Sequence, residues 1–169
     1  LRPHFKDMEW KLRPGMTTLT WTSLNIDPYI NHVNSGLKKL QELVSSINDI
    51  IENRVEKNLK VVSKTLLVDL PENSSFTVSD FVIKQQSHIA VQSRLLQGKN
   101  MEIENAVTDL IQRITTYQFE SQNETVPEKD ATKLRNHYDH FMYQALLYSA
   151  KNSMNMLKKT RLPGPTIWS

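Results

Sequence analysis

Between Asp27 and Leu67 the apolar residues return every three or four positions: Ile30, Val33, Leu37, Leu40, Val44, Ile47 and Ile51. That alternation puts them on one stripe of an α-helix, the seam of a coiled coil or helical bundle. The row continues through Val55, Leu59, Val62 and Leu66 with steps of four, four, three and four. This is a single stutter, which locally relaxes a supercoil. The spacing predicts one helix of roughly 60 Å over residues 27–67 at 1.5 Å per residue. Asp27 suits its N-cap, and Pro28 a first-turn position that has no use for an N–H. A row this regular is expected to be buried along its length against later helices. Gly36 lies inside the helix at a cost of roughly 1 kcal/mol against alanine, and a close helix contact would account for it.

A second pattern has a period of seven: Val82, Ile89, Leu96, Ile103, Leu110 and Tyr117. It crosses Gly98-Lys99-Asn100 without a phase shift, and a loop there would reset the phase. One continuous helix over 78–117 follows, capped by Thr77 or Ser79 after the Pro71 break. Its companion seam is polar early (Gln86, Ser93, Asn100) and apolar late (Val107, Ile114), so the C-terminal half should be better buried. Residues 118–126 read as a polar linker. Pro127, Glu128 and Asp130 open a third helix over 127–159, where acidic groups suit the positive dipole end. One face of this helix carries Leu134, Tyr138, Phe141 and Ala145, and another Tyr143, Leu147, Ala150, Met154 and Leu157. Apolar groups on two faces require more neighbours than two helices supply.

The predicted fold is all-α: an elongated bundle of about three long antiparallel helices spanning 26–160. An irregular lead-in occupies 1–25, with a Pro14-Gly15 turn and Trp21 as an anchor across the helix ends. An irregular end occupies 161–169. Composition agrees. Only four glycines occur in 169 residues, and the apolar share of 38% suits an elongated body with much surface per core residue. The chain opens on Leu1 and ends near Leu162-Pro163-Gly164-Pro165, which no helix continues through, so it reads as a slice of something longer.

The absence of cysteine removes disulfides, thiolate metal sites and cysteine nucleophiles together. No apolar run is long enough to span a bilayer. The Asn73-Ser74-Ser75 and Asn123-Glu124-Thr125 triplets read as chance matches. A net charge of +3 from 21 basic and 18 acidic residues is too balanced to mark a nucleic-acid partner. The densest basic cluster, Lys158, Lys159 and Arg161, suits a helix C-terminus.

Neither a phosphate-binding loop nor a dinucleotide turn can be built from the scattered glycines, and no G-x-S-x-G elbow or H-E-x-x-H pair occurs. His137 and His140 can share a helix face, but a metal site would need a third ligand. They read as two partly exposed histidines near an aromatic stripe. Gln85, Gln86, Gln92 and Gln97 form a polar stripe, read first as a solvated face and second as a docking surface for a partner helix. No catalytic, cofactor-binding or metal-ligating residue is assigned, and no cofactor is expected.

Three segments resemble the tail of dynein heavy chains. The first is Leu12-Arg13-Pro14-Gly15-Met16-Thr17-Thr18-Leu19-Thr20-Trp21-Thr22-Ser23, followed by Asn25-Ile26-Asp27 and the long amphipathic helix. The second includes Ile89, Leu95-Leu96, Lys99-Asn100-Met101-Glu102-Ile103-Glu104, Ala106-Val107 and Asp109-Leu110-Ile111. The third runs from Leu134-Arg135 through His137-Tyr138, His140 to Leu147 and Lys151-Asn152-Ser153 to Lys158-Lys159. They span nearly the whole chain in family order and are most similar to the outer-arm axonemal type. The resemblance implies a non-catalytic tail segment of a microtubule-stimulated ATPase motor of the cilium or flagellum axoneme, within the cytoplasm and cytoskeleton. The implied partners are other dynein heavy chains, intermediate and light chains and, indirectly, the doublet microtubule, with no nucleic acid and no membrane. ATP hydrolysis would reside far C-terminal of such a segment. Residues 162–169 depart from the family pattern. The alternatives from the residues alone are a free-standing, spectrin-like helical adaptor and a small helical metalloenzyme using His137 and His140.

Overall fold

A computed structural model describes residues 26–70, 77–122 and 124–159. The expectations for the Pro14-Gly15 turn, Trp21, the Pro71 break, the Asn73 triplet, Arg161 and the C-terminal end lie outside the described residues. Those residues form α1 (Ile26–Ile50), a π-helical turn (Ile51–Glu56), α2 (Lys57–Lys64), α3 (Val78–Gln122) and α4 (Glu128–Lys159). No strand occurs among them. The fold is an all-α bundle of three long helical bodies.

The first body runs unbroken from Ile26 to Lys64, because Ile50 and Lys57 at the edges of the π turn keep right-handed helical backbone. The π turn lies where the seam stutters. Ile47, Ile51, Val55 and Leu59 follow in three steps of four, and each step overshoots a full α-helical turn by about 40° at 3.6 residues per turn. Wider i→i+5 bonding takes up part of that overshoot. Ile50, Val55 and Val62 therefore all reach the core. The buried Asn58 donates from Nδ2 to the Arg54 carbonyl within the turn, 2.7 Å away.

The body ends at Lys64, three residues short of the expected Leu67. Thr65 turns extended, at φ −66° and ψ 127°, while its N–H still bonds to the Val61 and Val62 carbonyls. Its hydroxyl also donates to the Val61 carbonyl. The next backbone groups find partners on other helices instead of on their own.

Helix α3 begins on Thr77, whose hydroxyl oxygen accepts the Asp80 N–H and donates to the Asp80 carboxylate. It passes through Gly98 without interruption and continues to Gln122, five residues beyond the expected Tyr117. Nothing in Gln118-Phe119-Glu120-Ser121-Gln122 stops a helix; the next breaker is Pro127. The polar linker shrinks accordingly. The Pro127 carbonyl then accepts the N–H groups of Asp130 and Ala131 as α4 starts.

Contacts run in opposite senses along neighbouring bodies. Ser46 meets Arg113, Arg54 meets Asp109, and Leu66 meets His88, so α3 is antiparallel to the first body. Tyr138 lies near Glu56 and Ser153 bonds to Leu67, so α4 runs parallel to the first body and hence antiparallel to α3. The core sits at mid-height: Ile50, Val55 and Val62 meet Ile103, Ala106, Val107 and Leu110, with Met142 and Ala145 closing the third side.

Burial of the first seam along its whole length does not hold. Ile30, Leu37 and Val44 remain 50%, 42% and 46% exposed. The reason is overlap, because among the described residues only α3 is seen beside this stretch, near Glu42, Leu43 and Ser46, whereas both later helices pack on the C-terminal half. Helix α3 shows the same division. Ile89 is 54% exposed and Ile103, two heptads on, is 3% exposed. Its C-terminal half is the better buried one.

Candidate interaction surfaces

Two sets of polar contacts lock the bundle and decide which faces are left over. The first set holds the non-helical segment 65–70, which bonds to both α3 and α4. Ser149 donates to the Thr65 carbonyl at 2.7 Å, and the Leu67 N–H donates to Ser153 Oγ at 2.8 Å. Gln85 brackets Asp69: its Oε1 accepts the Asp69 N–H and its Nε2 donates to the Asp69 carbonyl. His88 Nε2 lies 3.0 Å from the Leu66 carbonyl, and Lys84 pairs with the Asp69 carboxylate at 3.1 Å. A non-helical segment beside two helices has no intrahelical or ladder partners, so side chains satisfy its backbone. Gln85 is thus not part of a solvated stripe. Gln86 and Gln97 are exposed and Gln92 is half-buried.

The second set spans α1, the π turn and α3. Arg54 pairs with Asp109, and Arg113 donates to Ser46. Leu43, Tyr117, Glu42 and Glu120 help line the open groove beside it. Both partners of the Arg54–Asp109 pair are over 40% exposed, so solvent screens the attraction.

His137 and His140 are both exposed on α4. The His137 ring stands edge-on to Phe141 at 4.6 Å and to Tyr138 at 5.4 Å between centroids. His140 Nε2 bonds to Gln144 instead, at 2.9 Å. The two rings are engaged separately, and no group of three or more His, Cys, Asp or Glu that could hold a metal occurs among the described residues. Burial pushes the Tyr138 phenol above its ordinary range, and the Glu56 carboxylate adds to the shift.

The core face of α4 consists of Ala131, Leu134, Tyr138, Met142 and Ala145 and continues into the buried Ser149 and Ser153. Met142, not Phe141, is the buried member. The second face behaves differently. Tyr143, Leu147 and Met154 stand exposed at helical spacing on α4, and Val82, Ile83, Ile89 and Val91 are exposed around the N-terminal half of α3. Exposed apolar side chains sharing one helix face, as on α4, suit contact with another protein surface. The contacts that strap residues 65–70 to α3 and α4 were not foreseen from sequence. Ser149 and Ser153, a hydroxyl pair four apart continuing an apolar face, were the available signal.

No family model matches the chain. It is similar to the flagellar outer-arm dynein gamma chain of Chlamydomonas reinhardtii, 42% identical over 159 residues, which is 94% of this chain and 4% of that protein. The chain belongs to the axonemal dynein heavy chains. Dynein axonemal heavy chain 8 of Homo sapiens is 32% identical over 111 residues, covering 66% of this chain and 2% of that protein. Dynein axonemal heavy chain 5 of Mus musculus is 34% identical over 109 residues, covering 64% and 2%. The heavy-chain segment in hand thus spans only a few per cent of the length of these relatives. No helix among its described residues is long and apolar enough to cross a membrane.

Proposed function

We propose that this segment is a non-catalytic structural element of the tail of an axonemal dynein heavy chain. In this reading it contributes to heavy-chain assembly, to association with intermediate and light chains, and to attachment of an ATP-driven microtubule motor for ciliary or flagellar motility. The supporting observation is the second apolar face of α4, where Tyr143, Leu147 and Met154 face outward from a bundle whose core is already closed by the opposite face of the same helix. A helix that is apolar on two sides serves two neighbours. The antiparallel bodies suit transmission of load, because packed helices resist bending along their common axis.

The test is a full-length heavy chain carrying Tyr143→Glu and Met154→Glu. Both side chains are more than half exposed, so the bundle itself should keep its helix content. Electron cryotomography of axonemes should show arms missing or depleted, with the associated subunits lost from salt extracts. Normal arm occupancy with both substitutions present would remove this face from any role in assembly.

A further inference from the structure

The outward face of α4 has the form of a second heptad seam. Tyr143, Leu147, Ala150, Met154 and Leu157 follow one another in steps of four, three, four and three. That spacing belongs to a helix that packs lengthwise against another helix. The four large members are exposed and Ala150 is half-buried. From Tyr143 to Leu157 the row is about 21 Å long at 1.5 Å per residue. The core face of the same helix turns another way, with Met142, Ala145, Ser149 and Ser153 buried.

Charge is distributed unevenly along this seam. Lys151 and Lys158 directly follow Ala150 and Leu157 and line one edge, seven residues apart. The other edge holds Leu146 and the buried Ser153, both uncharged. Both lysines are exposed, and neither forms a salt bridge among the described residues. The Lys151 ammonium lies 6.0 Å from the centre of the Tyr148 ring. The dipole at the end of α4 favours Lys158 in the last turn, but that attraction fades within one turn and does not account for Lys151. From His140 to Lys159 the helix has no Asp or Glu.

We propose that this seam takes an amphipathic helix from outside residues 1–169, with a matching three-four apolar row and acidic side chains seven apart along the edge that meets Lys151 and Lys158. Charges at such flanking positions select partners through salt bridges between helices. A second copy presenting the same face would bring lysines and no carboxylate from His140 to Lys159, so it lacks that complement. The inference rests on the assembly role proposed above for α4 and adds the chemistry of the partner.

In axonemes carrying the full-length heavy chain, carbodiimide treatment should join Lys151 or Lys158 by an amide bond to Asp or Glu of such a helix. Mass spectrometry of the joined peptides then reads its sequence. The proposal is overturned if the lysines couple to nothing, only within residues 1–169, or only to segments without the apolar row. Charge reversal is the second measurement, and both positions are exposed, so the bundle should keep its fold. Lys151→Glu with Lys158→Glu should release arms from the axoneme at lower salt than the parent, with the double glutamine variant in between. Identical salt profiles for all three, where Tyr143→Glu with Met154→Glu strips the arms, would refute the acidic partner and leave the assembly role standing. Arms unaffected by the apolar pair, with the coupling still found, would remove the assembly role and support the acidic helix.

Discussion

Ile89 and Ile103 occupy the same heptad position of α3, are the same residue type and lie fourteen residues apart, yet one is 54% exposed and the other 3%. Replacing each with alanine isolates what tertiary overlap contributes to a seam. Ile103→Ala removes side-chain carbons from a site only 3% exposed, within the buried cluster that includes Val55, Val107 and Met142. A buried isoleucine truncated to alanine costs about 2–5 kcal/mol, with the cavity term included. Ile89 has about half of that burial and leaves no enclosed cavity. Full burial of such a side chain contributes about 1.5–3 kcal/mol, so half gives roughly 1 kcal/mol. Alanine returns a few tenths of that as the better helix former. Ile89→Ala should therefore cost about 0.5 kcal/mol and Ile103→Ala several times more. Urea unfolding followed by far-UV circular dichroism measures both, with unchanged m-values as the check that the unfolded reference is the same. Equal destabilisation by the two substitutions would refute the placement of the core in the C-terminal half of α3.

Gly98→Ala should stabilise the chain by about 0.5–1 kcal/mol, since Gly98 is helical and an added Cβ meets nothing within 4 Å; a loss of stability in the same melts would contradict that open site. A double-mutant cycle on Arg54→Ala and Asp109→Ala should give a coupling of about 0.2–1 kcal/mol, because the pair is partly solvated, and one that shrinks with added salt. Tyr138 is held neutral by burial, with its folded pKa above its unfolded one. Its contribution is therefore fully present below the unfolded pKa of about 10 and is lost as pH rises through the folded value. Stability measured from neutral to strongly alkaline pH should fall more steeply in the parent than in Tyr138→Phe, and parallel curves would rule out the linkage.

The amino-acid sequence by itself determined the helices and their chemistry. Periods of seven and of three-four alternation select α-helix locally, and nothing tertiary is needed to read them. Thr77 and Pro127 mark starts through groups that only a helix terminus can use. The unbroken phase from Val82 to Tyr117 carried α3 through Gly98. The sequence showed a stutter in the row through Val55 and Leu59 and read it as a relaxed supercoil within one helix; only the backbone showed a π turn at Ile51–Glu56. The absence of nucleotide-binding and nucleophile motifs in the sequence was equally legible, because those sites need glycines and spacings that are not there. Which stretch of each seam is buried was not legible. Periodicity names a face but not the length over which another helix overlaps it, so Ile30 and Val62 look alike in the sequence, yet one is half exposed and the other fully buried. The same holds for the polar strap. Gln85 and Ser149 lie 64 positions apart and become partners of one non-helical segment only after α3 and α4 are packed beside it. Tertiary structure decides such features because a buried backbone amide or carbonyl takes whichever side chain the packing brings within reach.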